Sequence, residues 1–153
     1  MARPRAGATA LRFGLATVVW LVIADQATKS WAFGAGRTGV VTVQNPHAAL
    51  GSVHAPGPWL IGLAIVSVVG FCVVLGHAGW RLGIPAWIPG LVVGGAVSNL
   101  IDRVRFGAVR DFIVTRWGIF NLADLFVIAG VVLLPLLIAT RTIHRRRLDA
   151  DPT

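Results

Sequence analysis

Apolar residues dominate four stretches of this 153-residue chain, and polar residues collect in the segments between them. The apolar stretches cover approximately residues 11–33, 59–76, 84–101 and 119–139. A helix of roughly 20 apolar residues crosses the hydrocarbon core of a bilayer, and slightly shorter helices suffice when anchoring residues flank them. The pattern therefore predicts an all-α integral membrane protein, with four transmembrane helices in a single domain over residues 1–153.

Two of the intervening segments favour strands over helices. Residues 38–45, TGVVTVQN, are rich in β-branched side chains, which favours an extended backbone. Residues 107–114, GAVRDFIV, alternate enough to form a second short strand. Gly and Pro punctuate residues 46–58, which are expected to form a loop. We expect a small extracytoplasmic β segment that is too short to fold alone.

Composition and charge agree with a membrane protein. Hydrophobic residues make up 56% of the chain and charged residues 13%, and the mean hydropathy is +0.75. The net charge is +8, but the arginines gather at the ends of the apolar stretches, so nucleic-acid binding is not expected. By the positive-inside tendency both termini are cytoplasmic, with eight basic residues on that side and six on the other.

The first apolar stretch also fits a secretory signal peptide that is cut after Ala24. However, the apolar pattern continues through Phe33. Asp25 and Lys29 are four residues apart and therefore share one helix face. These features favour a retained membrane span, in which Asp25 and Lys29 form an ion pair.

The cysteine and histidine residues do not indicate a metal site. Cys72 is the single cysteine and lies within the second apolar stretch, so it is interpreted as a packing residue. The four histidines are scattered without the spacing of metal ligands. We expect neither a metal ion nor another cofactor.

Half of the six carboxylates lie between residues 94 and 124, and the chain has no glutamate. Asn121 and Asp124, three residues apart, share a stripe of the fourth predicted helix. Asp111 lies on the second predicted strand, thirteen residues before Asp124. Four residues share a stripe of the third predicted helix: Gly95, Asn99, Asp102 and Arg103. The two helix stripes and the strand are expected to meet at the outer face of the membrane.

Asp111 and Asp124 are the best candidates for chemistry. Two carboxylates close together in a partly apolar site cannot both ionise at low cost, so one keeps its proton. Aspartic proteases use such a pair to activate a water and to polarise the scissile carbonyl. Asp102 fits a structural ion pair with the adjacent Arg103 instead. The same intramembrane carboxylates also suit a small transporter or a proton-relay protein, and this alternative stays open.

These residues lie in sequence blocks that resemble the type II signal peptidases, the prolipoprotein signal peptidases of bacteria. Five blocks occur in the family's order and cover nearly the whole chain. The blocks are DQATK at 25–29, NPHAALG at 45–51, GGAVSNLIDR at 94–103, VRDF at 109–112 and FNLAD at 120–124. One block would be weak evidence, whereas their order and spacing together are specific.

The resemblance implies an enzyme that cleaves a diacylglyceryl prolipoprotein before its lipidated cysteine, at the outer face of the bacterial cytoplasmic membrane. The catalytic pair would be Asp111 and Asp124. The substrate or the pair would be surrounded by Asn45, Asn99, Arg103 and Asn121. The resemblance also implies that four residues occupy structural or motif positions of the family: Asp25, Lys29, Gly95 and Asp102. The cyclic peptide globomycin inhibits this family, and we expect a monomer whose partners are prolipoproteins and membrane lipids.

Some residues depart from the family pattern. His47 replaces a glycine after Pro46, and Leu50 replaces an aromatic residue. Arg110 stands before the candidate Asp111, where a small apolar residue is usual. These departures put substrate fit in question and raise a third reading, a catalytically inactive paralogue that binds lipidated peptides.

Overall fold

The computed structural model describes residues 4–34, 39–46, 58–59, 61–62, 65–66, 68–70, 73 and 83–150. Within them lie three long helices, α1 (Pro4–Ala32), α2 (Trp87–Phe106) and α3 (Leu122–Ala150). Four short strands lie between the helices: β1 (Val43–Asn45), β2 (Val109–Asp111), β3 (Ile113–Thr115) and β4 (Gly118–Phe120). Nine of the eighteen residues of the second predicted span, 59–76, lie outside the described residues, and the nine that are described are helical.

The helix ends differ from the predicted spans for local reasons. Helix α2 continues beyond residue 101 and ends at Gly107, which adopts a left-handed φ of 73° and donates its N–H to the Arg103 carbonyl. Glycine adopts this conformation at little cost, which makes it a common helix terminator. Helix α3 begins at Leu122 rather than at 119, because residues 118–120 pair with β3 as a strand.

Helix α2 lies at the centre and packs against both α1 and α3. Adjacent glycines permit this double contact. A Cβ atom on Gly94 would lie 3.0 Å from Leu21 Cβ of α1, and one on Gly95 would lie 2.5 Å from the Ala123 carbonyl oxygen of α3. A side chain at either position would force the helices apart. The polar side chains of α2 are thereby brought to the same place as the ends of α1 and α3.

Two antiparallel pairs of strands follow the helix ends. Strand β1 pairs with β2, with Val43 opposite Asp111 and Asn45 opposite Val109. Strand β3 pairs with β4 and forms a hairpin that leads directly into α3. The strand predicted over 38–45 is thus confirmed for its last three residues, and the one predicted over 107–114 is divided between β2 and β3.

Two of the described helices are long and apolar enough to cross a membrane, over Ala8–Ala32 and Leu122–His144. Their apolar side chains point largely outwards: Phe13 is 66% exposed and Trp20 is 70% exposed. A helix embedded in lipid presents such a surface, whereas the core helix of a soluble protein buries it. A smaller apolar cluster, around Ile88 and Leu134, joins α2 to α3 on the inside.

Candidate active site

Asp111 lies at the end of β2 and is almost completely buried, with 2% of its surface exposed. Two amide groups bind its carboxylate. Asn121 donates its Nδ2–H to Oδ1 at 2.6 Å, and Asn45 donates its Nδ2–H to Oδ2 at 3.1 Å. Asn45 reaches Asp111 because β1 is hydrogen-bonded alongside β2. The β segment therefore orients this carboxylate from one side, while the residue before α3 orients it from the other.

Asp124 lies in the first turn of α3 and is half-buried. The Asn121 backbone donates its N–H to Asp124 Oδ2 at 3.1 Å, and the Asp124 backbone donates its N–H to Asn121 Oδ1 at 3.0 Å. This reciprocal pair is the capping box of a helix N-terminus, and it fixes the carboxylate relative to the helix axis. Asn99 of α2 donates its Nδ2–H to the other oxygen, Oδ1, at 2.8 Å.

Asn121 touches both carboxylates and so brings Asp111 and Asp124 to one site, as the sequence predicts. Burial raises the pKa of Asp111 to about 6, against the opposing effect of the hydrogen bonds from Asn121 and Asn45. The charge of Asp124 raises the pKa of Asp111 further. A proton is therefore retained on this pair at a pH where an exposed aspartate has lost it.

A second group of charged side chains lies beside this pair, and we call it the ion cluster. It consists of Asp25, Lys29, Asp102 and Arg110. Lys29 Nζ lies 2.7 Å from Asp25 Oδ2 and 3.2 Å from Asp102 Oδ2. Arg110 Nη2 lies 2.9 Å from Asp102 Oδ1. The ion pair predicted between Asp25 and Lys29 forms, and both side chains are completely buried.

The ion cluster is joined to the aspartate pair through backbone and side-chain hydrogen bonds. The Ala123 backbone donates its N–H to Asp25 Oδ1 at 2.8 Å, one residue before Asp124. The Arg110 backbone donates its N–H to Asp102 Oδ2 at 3.0 Å, one residue before Asp111. Lys29 also donates to Asn99 Oδ1 at 2.9 Å.

One predicted contact changes when the side chains are placed. Asp102, expected to pair with the adjacent Arg103, forms its ion pairs with Lys29 and Arg110. Arg103 donates to the Asn99 carbonyl at 3.3 Å and lies within electrostatic range of Asp124, Asp111 and Asp102. Sequence spacing along one helix could not show that the Asp102 carboxylate faces two other elements.

Sequence reasoning missed two polar residues. Gln26 donates to Ser98 Oγ at 3.0 Å and to Asp102 Oδ1 at 3.0 Å. Ser98 donates to Asp25 Oδ2 at 2.7 Å and is completely buried. Their positions in the sequence could have indicated both residues. Gln26 adjoins Asp25, and Ser98 lies four residues before Asp102 and therefore on the same helix face.

Comparison with known proteins identifies the family. The model of the family described as Signal peptidase (SPase) II matches residues 17–140. The chain belongs to the signal peptidase II family. The lipoprotein signal peptidase of Methylorubrum extorquens (strain PA1) is 36% identical over 145 residues, which cover 81% of this chain and 84% of that protein. The lipoprotein signal peptidase of Rhodopseudomonas palustris (strain TIE-1) is 31% identical over 151 residues, which cover 82% and 91%.

The fold is similar to that of a solved bacterial membrane enzyme, determined by the in meso method at 2.3 Å resolution. The TM-score is 0.71 at 24% sequence identity, over 84% of this chain and 88% of the other. This likeness shows that the chain shares a membrane enzyme's fold.

The departures from the signal peptidase II pattern can now be placed in part. His47 and Leu50 lie outside the described residues. Pro46 directly follows β1 and is exposed. Arg110 is buried, with 8% of its surface exposed, and its side chain joins the ion cluster. Successive side chains of a strand point to opposite faces, so Arg110 contacts Asp102 while Asp111 contacts Asn121.

Proposed function

We propose that this signal peptidase II family member is a membrane aspartyl endopeptidase that removes signal peptides from diacylglyceryl-modified prolipoproteins. The cut lies before the lipidated cysteine. The observation that carries the proposal is the bridging of Asp111 and Asp124 by Asn121 at the partly buried end of a membrane helix. Relatives named lipoprotein signal peptidase support the substrate class.

In the proposed reaction Asp111 and Asp124 share one proton. The ionised carboxylate takes a proton from a water as that water attacks the scissile carbonyl carbon, and the protonated carboxyl donates a hydrogen bond to the carbonyl oxygen. Collapse of the tetrahedral intermediate breaks the C–N bond and passes a proton to the leaving nitrogen. The raised pKa of Asp111 supports this scheme, because burial keeps the shared proton in place.

The four residues proposed around the substrate divide into two groups. Three asparagines donate amide N–H groups to the two carboxylates: Asn45, Asn99 and Asn121. We therefore propose that their main role is to orient the aspartate pair. Arg103 lies on the same end of α2 and attracts both carboxylates electrostatically. We assign it the binding of substrate carbonyl groups, for which the guanidinium offers several donors.

The proposed arrangement in the membrane has four spans, with residues 59–76 as the second. Both termini are cytoplasmic, and the aspartate pair and the β segment lie at the outer face of a bacterial cytoplasmic membrane. The exposed apolar surfaces of α1 and α3 support this placement. We further propose that the enzyme acts as a monomer and that globomycin competes with its substrate.

Cleavage of a diacylglyceryl prolipoprotein by the purified protein tests the function. Asp111→Asn and Asp124→Asn should each lower kcat by about 10²–10⁴-fold, because each removes one partner of the proton transfer. Asp149→Asn, near the C-terminus, is the matched control and should cleave at the wild-type rate. Thermal unfolding in detergent verifies that every variant is folded.

A folded Asp111→Asn or Asp124→Asn variant with wild-type turnover would refute the catalytic assignment. Proton-coupled flux in proteoliposomes without cleavage would favour a transporter. Lipopeptide binding without turnover would favour an inactive binder, and recovery of turnover in His47→Gly would then identify the cause.

A further inference from the structure

Arg110 binds a single carboxylate with both its backbone and its side chain. Its backbone N–H reaches Asp102 Oδ2 at 3.0 Å, and its Nη2 reaches Asp102 Oδ1 at 2.9 Å. The same Nη2 donates to Gln26 Oε1 of α1 at 2.9 Å. The guanidinium carbon lies 4.4 Å from the centre of the Phe106 ring and 6.0 Å from that of Phe33. One side chain therefore joins β2 to the ends of both α1 and α2.

Arg110 also balances charge in the ion cluster. The cluster holds two carboxylates, Asp25 and Asp102, and two cations, Lys29 and Arg110. Without Arg110, Lys29 would be the one cation of the cluster left for two completely buried carboxylates. A buried charge that loses its partner is strongly unfavourable. Lys29 would then be drawn from Asn99 towards Asp102.

Both routes from Arg110 lead to the aspartate pair. Arg110 directly precedes Asp111, so the bond from its backbone N–H to Asp102 fixes β2 next to the carboxylate. On the other route, Lys29 holds the Asn99 oxygen, and the Asn99 amide holds Asp124. A change at Arg110 should therefore shift both carboxylates, although its side chain donates to Asp102 and Gln26 rather than to either of them.

We propose that Arg110 is a positioning residue for the endopeptidase reaction: through Asp102 it sets where Asp111 lies relative to Asp124. The proposal rests on the function proposed above. It assigns Arg110, which replaces a small apolar residue of the family pattern, a role in the geometry of the aspartate pair. Arg110 works together with Asp102 and Gln26, and it contacts neither the substrate nor the attacking water.

Four variants test the proposal in the prolipoprotein cleavage assay, each measured well below its own unfolding temperature. Arg110→Met keeps the length of the side chain and removes the charge; kcat should fall about 10- to 100-fold with KM nearly unchanged, because misplacing a reacting group costs rate. Arg110→Lys should recover part of that loss, since lysine keeps the charge but lacks the two-pronged geometry. Arg105→Met is the matched control, because Arg105 is exposed at the same end of α2, and it should match the wild type.

The fourth variant, Asp102→Asn with Arg110→Met, distinguishes positioning from simple damage. It removes the carboxylate that Arg110→Met leaves without its arginine, while the asparagine oxygen can still accept the backbone N–H of residue 110. Its kcat should therefore exceed that of Arg110→Met alone. A merely structural role predicts that Arg110→Met lowers the unfolding temperature but leaves kcat of the folded enzyme unchanged, and that result would overturn the proposal.

A measurement without substrate separates this proposal from the function itself. The infrared band of the protonated carboxyl, assigned by difference against Asp111→Asn, reports the titration of Asp111 in the purified protein. The charged groups around Asp111 are Asp124, Lys29 and Arg103. Arg110→Met should move the titration midpoint above the wild-type value of about 6, because Asp111 would lose alignment with the amides that lower its pKa.

Arg105→Met should leave the infrared midpoint unchanged. If the wild type cleaves no prolipoprotein, the proposed function fails, and the infrared midpoint alone decides the role of Arg110. An equal midpoint in Arg110→Met and the wild type would refute positioning, whether or not the protein is a peptidase.

Discussion

The ion cluster and the aspartate pair each contain two carboxylates, yet they are built in opposite ways. In the ion cluster, Asp25 and Asp102 are completely buried and contact lysine or arginine at 2.7–3.2 Å. In the aspartate pair, Asp111 and Asp124 accept their hydrogen bonds from asparagine groups. One group has its charge neutralised by direct contact, and the other has its carboxylates oriented by neutral amides.

The difference supports the different roles proposed for these nearby carboxylates. A cation in direct contact keeps a carboxylate ionised and ties up its oxygens, which suits a structural support. Amide donors orient a carboxylate without neutralising its charge, and burial still raises the pKa of Asp111 against their effect. We infer that the ion cluster fixes the positions of the elements that carry the aspartate pair.

The largest expected effect is a difference in stability between a variant of the ion cluster and the same substitution in the aspartate pair. Asp25→Asn removes a buried ion-pair partner and should lower the free energy of unfolding by about 3–5 kcal/mol. For a chain of this length such a loss corresponds to a fall of roughly 10 °C in the unfolding temperature. Asp111→Asn, the same substitution in the aspartate pair, should leave the unfolding temperature equal or higher, because it removes an acid whose ionised form is disfavoured by burial.

Thermal unfolding of both variants in the same detergent compares the two values directly. Equal losses for Asp25→Asn and Asp111→Asn would show that the two groups do not differ in this way. Asp25 also accepts the Ala123 N–H, so its variant should lose activity as well as stability.

A smaller effect is expected at Gly95, where α2 contacts the start of α3. A Cβ there would lie 2.5 Å from the Ala123 carbonyl oxygen and 2.7 Å from Val127 Cγ2. Gly95→Ala should therefore cost about 1–3 kcal/mol by overpacking and should lower kcat, because it pushes α3 and Asp124 away from α2. Gly62→Ala, where no atom of the described residues lies within 4 Å of the added atom, should instead be neutral or slightly stabilising.

Unfolding temperatures and kcat values of the two alanine variants test this contact. If Gly95→Ala reduced stability and left kcat intact, the aspartate pair would be insensitive to the approach of α3 to α2. The role assigned to the helix contact would then be wrong.

Much of the fold follows from periodic features that sequence alone reveals. Apolar length predicts α1, α2 and α3, and β-branched content predicts strand β1. The separation of thirteen positions between Asp111 and Asp124 suffices for the chain to return. The predicted boundary at residue 119 lies three residues before the observed helix start at Leu122, because the apolar residues of β4 were counted with those of α3, although Asn121 separates them. A strand and a helix that are both apolar look alike when periodicity is the only guide.

The site was predicted less completely than the fold. Asp124 could be selected because no basic residue lies within one helical turn of it along the chain, and Asp111 because the adjacent Arg110 is expected on the opposite face of a strand. Asp102 was assigned to Arg103 from adjacency, whereas its contacts to Lys29 and Arg110 come from α1 and β2. Such contacts depend on how three elements pack, and spacing along one element carries no information about them.

The smallest expected effect concerns the pH dependence of the aspartate pair. The pKa of Asp111 is raised from 3.8 to about 6, so the folded protein holds this proton after the unfolded chain has released it. The contribution of Asp111 to stability should therefore fall as pH rises from about 4 to 6 and level off above that range. The kcat/KM value should decline as pH rises through about 6, when the pair loses its shared proton.

The variant Asn45→Ala tests whether an amide donor sets this pH dependence. Asn45 donates to Asp111 Oδ2, and that hydrogen bond lowers the pKa of Asp111. Its removal should move the alkaline limb of the kcat/KM profile to higher pH, even if the maximal rate falls. Gln44→Ala is the matched control, because Gln44 is exposed on the same strand and pairs with Arg110 rather than with Asp111. A limb that moves to lower pH in Asn45→Ala would mean that amide donors do not set the proton affinity of the pair, and the contrast with the ion cluster would then need another cause.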